Sequence, residues 1–309
     1  MREMKRIIVL ALLLLSCDSF AQQDAIYSQY MFNPFAINPA YAGSRNSYSA
    51  VLLHRSQWVG FPGAPMTQSF ALHAPAGKSG IAWGINFAFD QIGPSKNILA
   101  AGTGAYILKF KESKLAFGLR GGIYNTIFNR DLLEFKEQGD QMDIGGKESA
   151  IVPSFDFGVY YYMTKFFAGF AVNHITRHQF KFKDYPDTVL TNMALRQHFM
   201  LNTGYVWELK RNFILKPSFL IKYVPGAPIN VDLNLSALIY KRVWAGISFR
   251  NNTNIVFLVD VNVTDFMRIG YAYDWNYDKL GNYNSGSHEA FIGFDFNLKN
   301  RQTISPRYL

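Results

Sequence analysis

From residue 45 onward, apolar and polar side chains alternate. In 81–89, Ile81, Trp83, Ile85, Phe87 and Phe89 share one parity, and Ala82, Gly84, Asn86 and Ala88 share the other. Successive side chains of a strand point to opposite faces, so a period of two predicts a strand with one large apolar face and one small or polar face. The same pattern sets Phe117, Leu119 and Ile123 against Arg120, Tyr124 and Thr126. It also sets Leu233 and Leu235 against Asp232, Asn234 and Ser236, and Phe294 and Phe296 against Asp295 and Asn297. Read along the chain, it predicts strands at 47–57, 66–75, 79–91, 95–109, 113–130, 152–163, 165–175, 195–208, 211–225, 228–240, 242–250, 253–263, 265–275 and 287–298.

A large apolar face opposite a small polar one suits lipid outside and water inside. A soluble sandwich would carry Lys and Glu on its outer face, where this chain has Gly, Asn and Ser. Lipid leaves no partner for an unpaired backbone group, so the sheet must close on itself. The expected fold is a closed antiparallel transmembrane β-barrel of about 14 strands. Every second connection is tight, around Ala76-Gly77-Lys78, Lys111-Glu112, Thr164, Lys210, Lys241 and Thr264. The long ones, 131–151, 176–194 and 276–286, all fall in the alternate set. That parity predicts short periplasmic turns at one rim and longer extracellular loops at the other.

The start of the chain is different. Arg2, Lys5 and Arg6 precede a short apolar run, Ile7 to Leu15, and Ser19-Phe20-Ala21 offers a small-residue cleavage site before Gln22. This reads as a cleaved export signal over 1–21, too short for a spanning helix. Cys17, the single cysteine, sits in Leu14-Leu15-Ser16-Cys17, close to a lipoprotein box; the alternatives are lipidation of Cys17 or its removal with the signal. Behind the signal, the reading gives an N-terminal periplasmic, plug-like segment at 22–45, the barrel at 46–298 and a tail at 299–309.

Composition agrees with a barrel: 27 Phe, 18 Tyr and 5 Trp supply aromatic girdles. The net charge of +9 comes from bases dispersed through the turns, not from a cluster, so no nucleic-acid partner is expected. Outer-membrane lipid and other proteins are the expected neighbours.

Candidate chemistry is sparse. Ala76-Gly77-Lys78-Ser79 lacks the first glycine of a phosphate loop, Leu72 standing in its place. His174 and His178 have metal-binding spacing only on a helix, whereas they fall where a strand enters a polar loop; a solvated rim is expected there. Asp140, Asp143 and Glu148 share a glycine-containing loop without the pattern of a calcium site. No catalytic, cofactor or metal residue is assigned, and the chain is not expected to be an enzyme.

The most distinctive stretches flank the first strand. One contains Gln29-Tyr30-Met31-Phe32-Asn33-Pro34 and Asn38-Pro39-Ala40-Tyr41-Ala42-Gly43; its two Asn-Pro steps interrupt any helix. Its aromatics would be unfavourable in free water and lack the alternation of a strand, so 22–45 is expected to pack against the barrel mouth and partly obstruct the lumen. The other contains Arg55, Gln57, Trp58, Gly60, Phe61, Gly63, Pro65 and Thr67, with the Gly and Pro content of a fixed turn. Both stretches are open to two readings, packing element or partner-binding segment.

In this order behind a signal peptide, these motifs resemble the PorP/SprF family of the type IX secretion system, and the resemblance runs over the whole chain. It implies an outer-membrane component that supports secretion, or anchoring at the surface, of large proteins with a C-terminal sorting domain, a gliding adhesin among them. Its partners would be that cargo and other secretion components. The family offers no catalytic residues to carry over. Ser305-Pro306-Arg307-Tyr308-Leu309 is similar to family tails but ends in Leu, not an aromatic, which leaves Phe291 to Leu298 as the segment for barrel assembly to read. The competing class is a passive pore or small-molecule transporter. A 14-stranded barrel is too wide for side chains alone to fill, so an open lumen favours the pore and a plugged one the secretion component.

Overall fold

The computed structural model describes residues 27–45, 47–77, 79–133, 145–180, 194–251 and 253–297. Their strands are β1 (Ser47–Ser56), β2 (Met66–Pro75), β3 (Ile81–Ile92), β4 (Ser95–Lys109), β5 (Ser113–Asn129), β6 (Lys147–Met163) and β7 (Phe166–Asn173). There follow β8 (His198–Tyr205, resuming as Trp207–Lys210), β9 (Phe213–Tyr223), β10 (Asn230–Ile239), β11 (Val243–Arg250), β12 (Asn254–Asn262), β13 (Met267–Asn276) and β14 (Ser287–Asn297). The break in β8 falls at Val206, where the neighbouring strand carries Pro217, a residue with no N–H for the ladder. On the other side of the strand the ladder with β7 continues through this point, the Val206 N–H donating to the Lys165 carbonyl at 2.7 Å.

Each strand pairs antiparallel with the next, and β1 pairs with β14 from Ser47↔Asn297 to Ser56↔His288. The sheet is therefore a closed, up-and-down barrel of 14 strands, and no helix among the described residues is long and apolar enough to cross a membrane.

The alternation seen in the sequence becomes an inside and an outside. Phe87, Phe117, Leu119 and Leu233 are exposed on the outer wall, and Phe294 shares that parity with Phe296, the two rings stacked. Asn86, Arg120, Asp232, Asn234 and Asp295 are buried in the interior. Replacing Leu233 with Arg is expected to destabilise the barrel by about 2–4 kcal/mol at the bilayer midplane and less toward a rim. Denaturant unfolding from lipid vesicles measures it, and an unchanged midpoint would refute the outward placement.

One boundary differs from expectation by more than three residues. β6 begins at Lys147, five residues before the predicted 152, so the connection before it is shorter. Lys147, Glu148 and Ser149 alternate in burial but are too polar to read as a membrane strand. Above the bilayer, a wall that faces water needs no apolar side.

Candidate functional site: the occupied lumen

The interior is filled by the chain's own N-terminal segment. Residues 28–45 are buried almost throughout, Phe32 and Phe35 completely. Local chemistry shapes their path. Pro34 opens a single helical turn, α1 (Pro34–Ile37), suited by its fixed φ and missing N–H. Asn38 precedes Pro39 and is pushed to extended backbone (φ −138°, ψ 112°), which ends the turn. Its side-chain oxygen then accepts from the Ala40 N–H at 2.9 Å, starting a 3-10 turn over Pro39–Tyr41.

The wall is cut to fit this segment. A β-carbon on Gly118 would stand 2.3 Å from the Ala40 nitrogen, one on Gly158 would stand 2.1 Å from Asn38 Oδ1, and one on Gly84 would stand 2.4 Å from the Phe35 ring. No real side chain tolerates such approaches. The Asn38 amide, seated between Gly158 and Gly169, donates into the wall to the carbonyls of Val159 (3.1 Å) and Phe170 (3.4 Å).

Charged side chains satisfy the buried backbone where water is excluded, as buried polar groups require. Toward the long-loop ends of the strands, the Ser28 and Gln29 N–H groups each donate to the Glu289 carboxylate at 2.8 Å. Arg55 lies between Asp274 (2.8 Å) and Glu289 (3.2 Å) and donates to Ser28 Oγ (2.8 Å). Arg250 and Lys222 share Asp232, at 2.8 and 3.3 Å. Three bases thus balance three acids in one connected lattice. Toward the short-turn ends, Arg45 and Arg268 both donate to the Phe32 carbonyl and both pair with Asp295; Arg268 also reaches Asp260 at 3.2 Å. Lys216 stands 4.5 Å from the Trp244 ring centre and 5.6 Å from that of Phe32. Arg120, paired with Asp156, donates to the carbonyls of Phe35 and Ala36.

The motif residues divide between two places. Tyr30, Phe32, Asn33, Pro34, Asn38, Pro39, Tyr41 and Gly43 belong to the plug: Tyr41 packs on His73 and Tyr160, and the Gly43 N–H donates to His73 Nδ1 at φ +70°. Gln57, Trp58, Gly60, Phe61, Gly63 and Pro65 form the β1–β2 connection on the long-loop rim. There the Gln57 N–H donates to the Pro65 carbonyl, the Trp58 N–H to Ser287 Oγ, and Gly60 and Gly63 take positive φ. Arg55 joins the two stretches through Ser28. Sequence reading expected the segment at the periplasmic mouth; its described part lies deeper and reaches the long-loop side at Ser28. His174, expected on a solvated rim, is buried between Tyr124 and His198, with Phe180 and Leu195 folded over that corner. Asp140 and Asp143 lie outside the described residues, and Glu148 pairs with Arg130. A cavity of about 80 Å³ remains beside the plug, lined by Tyr27, Asn97, Arg120, Asp156 and Asn173.

The chain matches the family described as type IX secretion system membrane protein PorP/SprF over residues 19–294, which takes in the plug and runs into β14. It belongs to the PorP/SprF family. No curated protein matches this PorP/SprF chain. Among solved structures it is similar to the CymD monoaromatic hydrocarbon channel (11% identity, 92% of this chain and 96% of that one, TM-score 0.50). It is also similar to the Ralstonia pickettii toluene transporter TbuX (10%, 88% and 94%, TM-score 0.52) and to a TodX deltaS2S3 mutant monoaromatic hydrocarbon channel (9%, 85% and 94%, TM-score 0.51). At such identities the likeness is one of fold: this PorP/SprF protein is an outer-membrane β-barrel.

Proposed function

We propose that this protein is an outer-membrane component of the type IX secretion system that supports secretion or surface anchoring of large proteins with a C-terminal sorting domain, a gliding adhesin among them. It reaches the membrane through a signal peptide cleaved before Gln22. The observation that carries this reading is the occupied lumen. Glycines on the wall stand against Phe35, Asn38 and Ala40, and arginines and Glu289 satisfy the plug's backbone, so little of the interior is left for a passing solute. A barrel closed by its own chain acts through its rims. The loops at 130–146, 174–197 and 277–286 would meet cargo outside, as loops on a rigid scaffold commonly carry binding. The short turns, with Lys111, Lys165, Lys210, Arg211, Lys241 and Arg242, would meet secretion components in the periplasm.

Deleting the gene is expected to leave cells viable but remove at least one large sorting-domain protein from the surface, as read by surface proteomics. An unchanged surface and secreted set, with a defect only in small-molecule uptake, would replace this reading with that of a transporter.

A further inference from the structure

The outer wall is not evenly convex. A groove of about 660 Å³ opens on it across β13, β14 and β1 to β4. Ile269 and Ile292 flank one side, and Phe70, Phe87, Phe89 and Ile98 the other, with Leu52 and the small Ala290 between. The Phe70 and Phe87 rings are stacked at 6.3 Å. The strand register sets polar groups at the upper end of this apolar trough. His54 faces Gln68 across β1 and β2, and Gln91 faces Lys96 across β3 and β4, all on the outward parity toward the long-loop ends. The far side of the barrel is different: near the same ends, β9 to β12 turn Tyr223, Val231, Phe249 and Ile255 outward. His54 Nε2 lies 3.1 Å from Ser56 Oγ, but Gln68 is exposed and its amide has no hydrogen-bond partner among the described residues. An amide at the edge of an apolar trough is favoured where an acceptor meets it. No carboxylate shares the outward parity with Lys96 on these four strands.

We propose that this groove binds one phosphorylated, acylated glycolipid of the outer leaflet. One acyl chain lies along Leu52, Phe70, Phe87 and Ile98. The carbonyl of its linkage accepts from the Gln68 amide, which sits at the boundary between trough and headgroup, and the phosphate meets Lys96. The long-loop rim of such barrels faces outward, so the leaflet is the outer one.

The test uses full-length protein in detergent, exposed to diphosphorylated lipid A or to phosphatidylglycerol, with bound lipid counted by native mass spectrometry. Heat-modifiable migration establishes that each variant is folded. One lipid A is expected per wild-type barrel, and Ala290→Trp, which fills the trough, should cut occupancy about tenfold. Gln68→Leu should also lose lipid A, although a more apolar outer wall is otherwise better suited to the membrane. Leu233→Trp, on the opposite wall, should leave binding unchanged. Equal retention of phosphatidylglycerol, undiminished lipid A on Ala290→Trp and Gln68→Leu, or a copurifying protein that shields Gln68→Cys from labelling would each overturn the assignment.

Discussion

Removing residues 22–45 is expected to turn an almost silent barrel into a wide pore, raising planar-bilayer conductance about tenfold or more, because the lumen of 14 strands is wider than wall side chains can fill. The barrel itself should survive. Among the described residues the 14 strands pair only with one another, and the plug contributes no ladder hydrogen bond. Glu289, Asp274 and Asp295 would lose partners, but the same deletion admits water, which solvates them. A second variant separates loss of the plug from its displacement. Gly118→Leu keeps every plug residue, yet its β-carbon would lie 2.3 Å from the Ala40 backbone nitrogen. It should open the channel partly, with frequent closures, while the deletion stays open. Equal low conductance of all three proteins would show that the segment does not control the lumen.

The other large effect is expected at Arg55. Its guanidinium is almost wholly buried between Asp274 and Glu289, and it holds Ser28 at the head of the plug. Arg55→Ala leaves two buried carboxylates sharing one fewer counter-charge, a loss of about 3–5 kcal/mol when one partner of a buried pair is removed. The guanidinium midpoint for unfolding from vesicles should fall accordingly. Arg55→Met combined with Glu289→Gln should recover a large part of the loss, because the double change removes the unmatched charge as well. A single variant as stable as wild type would mean that water reaches the lattice freely.

The wall was far more legible in the sequence than its contents. Alternation in segments such as 81–89 and 229–239 gave both strand and facing, since lipid and lumen make opposite demands on neighbouring residues. Even the rims could be told apart, from the short connections at Thr164 and Lys241 and the long one after Asn276. The lattice could not be read in this way. Arg55 lies 219 residues from Asp274 and 234 from Glu289, and nothing local in the sequence joins them. Two signals were nonetheless present. Asp232, Arg250, Asp260, Arg268, Asp274 and Glu289 all occupy inward positions near strand ends, a concentration of opposite charges that an open aqueous channel does not require. Gly118, Gly158 and Gly169 likewise sit inward on three consecutive strands, where small size matters only if something approaches. His174 was misjudged for a related reason: it packs on Tyr124, which clusters with Phe180 and Leu195, hydrophobic residues of a stretch otherwise too polar to read as packed.

The pairing of β1 with β14 governs how this chain reaches its native state. Arg45 and Asp295, which meet beside that seam, are 250 residues apart, so the closing contact is among the most distant the chain makes. Contacts of this kind form slowly, because the entropy of loop closure is lost before any pairing repays it. Until then the nascent sheet presents two raw edges, each a template for aggregation, and needs an escort in transit. The plug is tethered directly to the first of those edges. A segment so closely fitted to the wall, and joined directly to the first strand, ties the filling of the lumen to the closing of the ring.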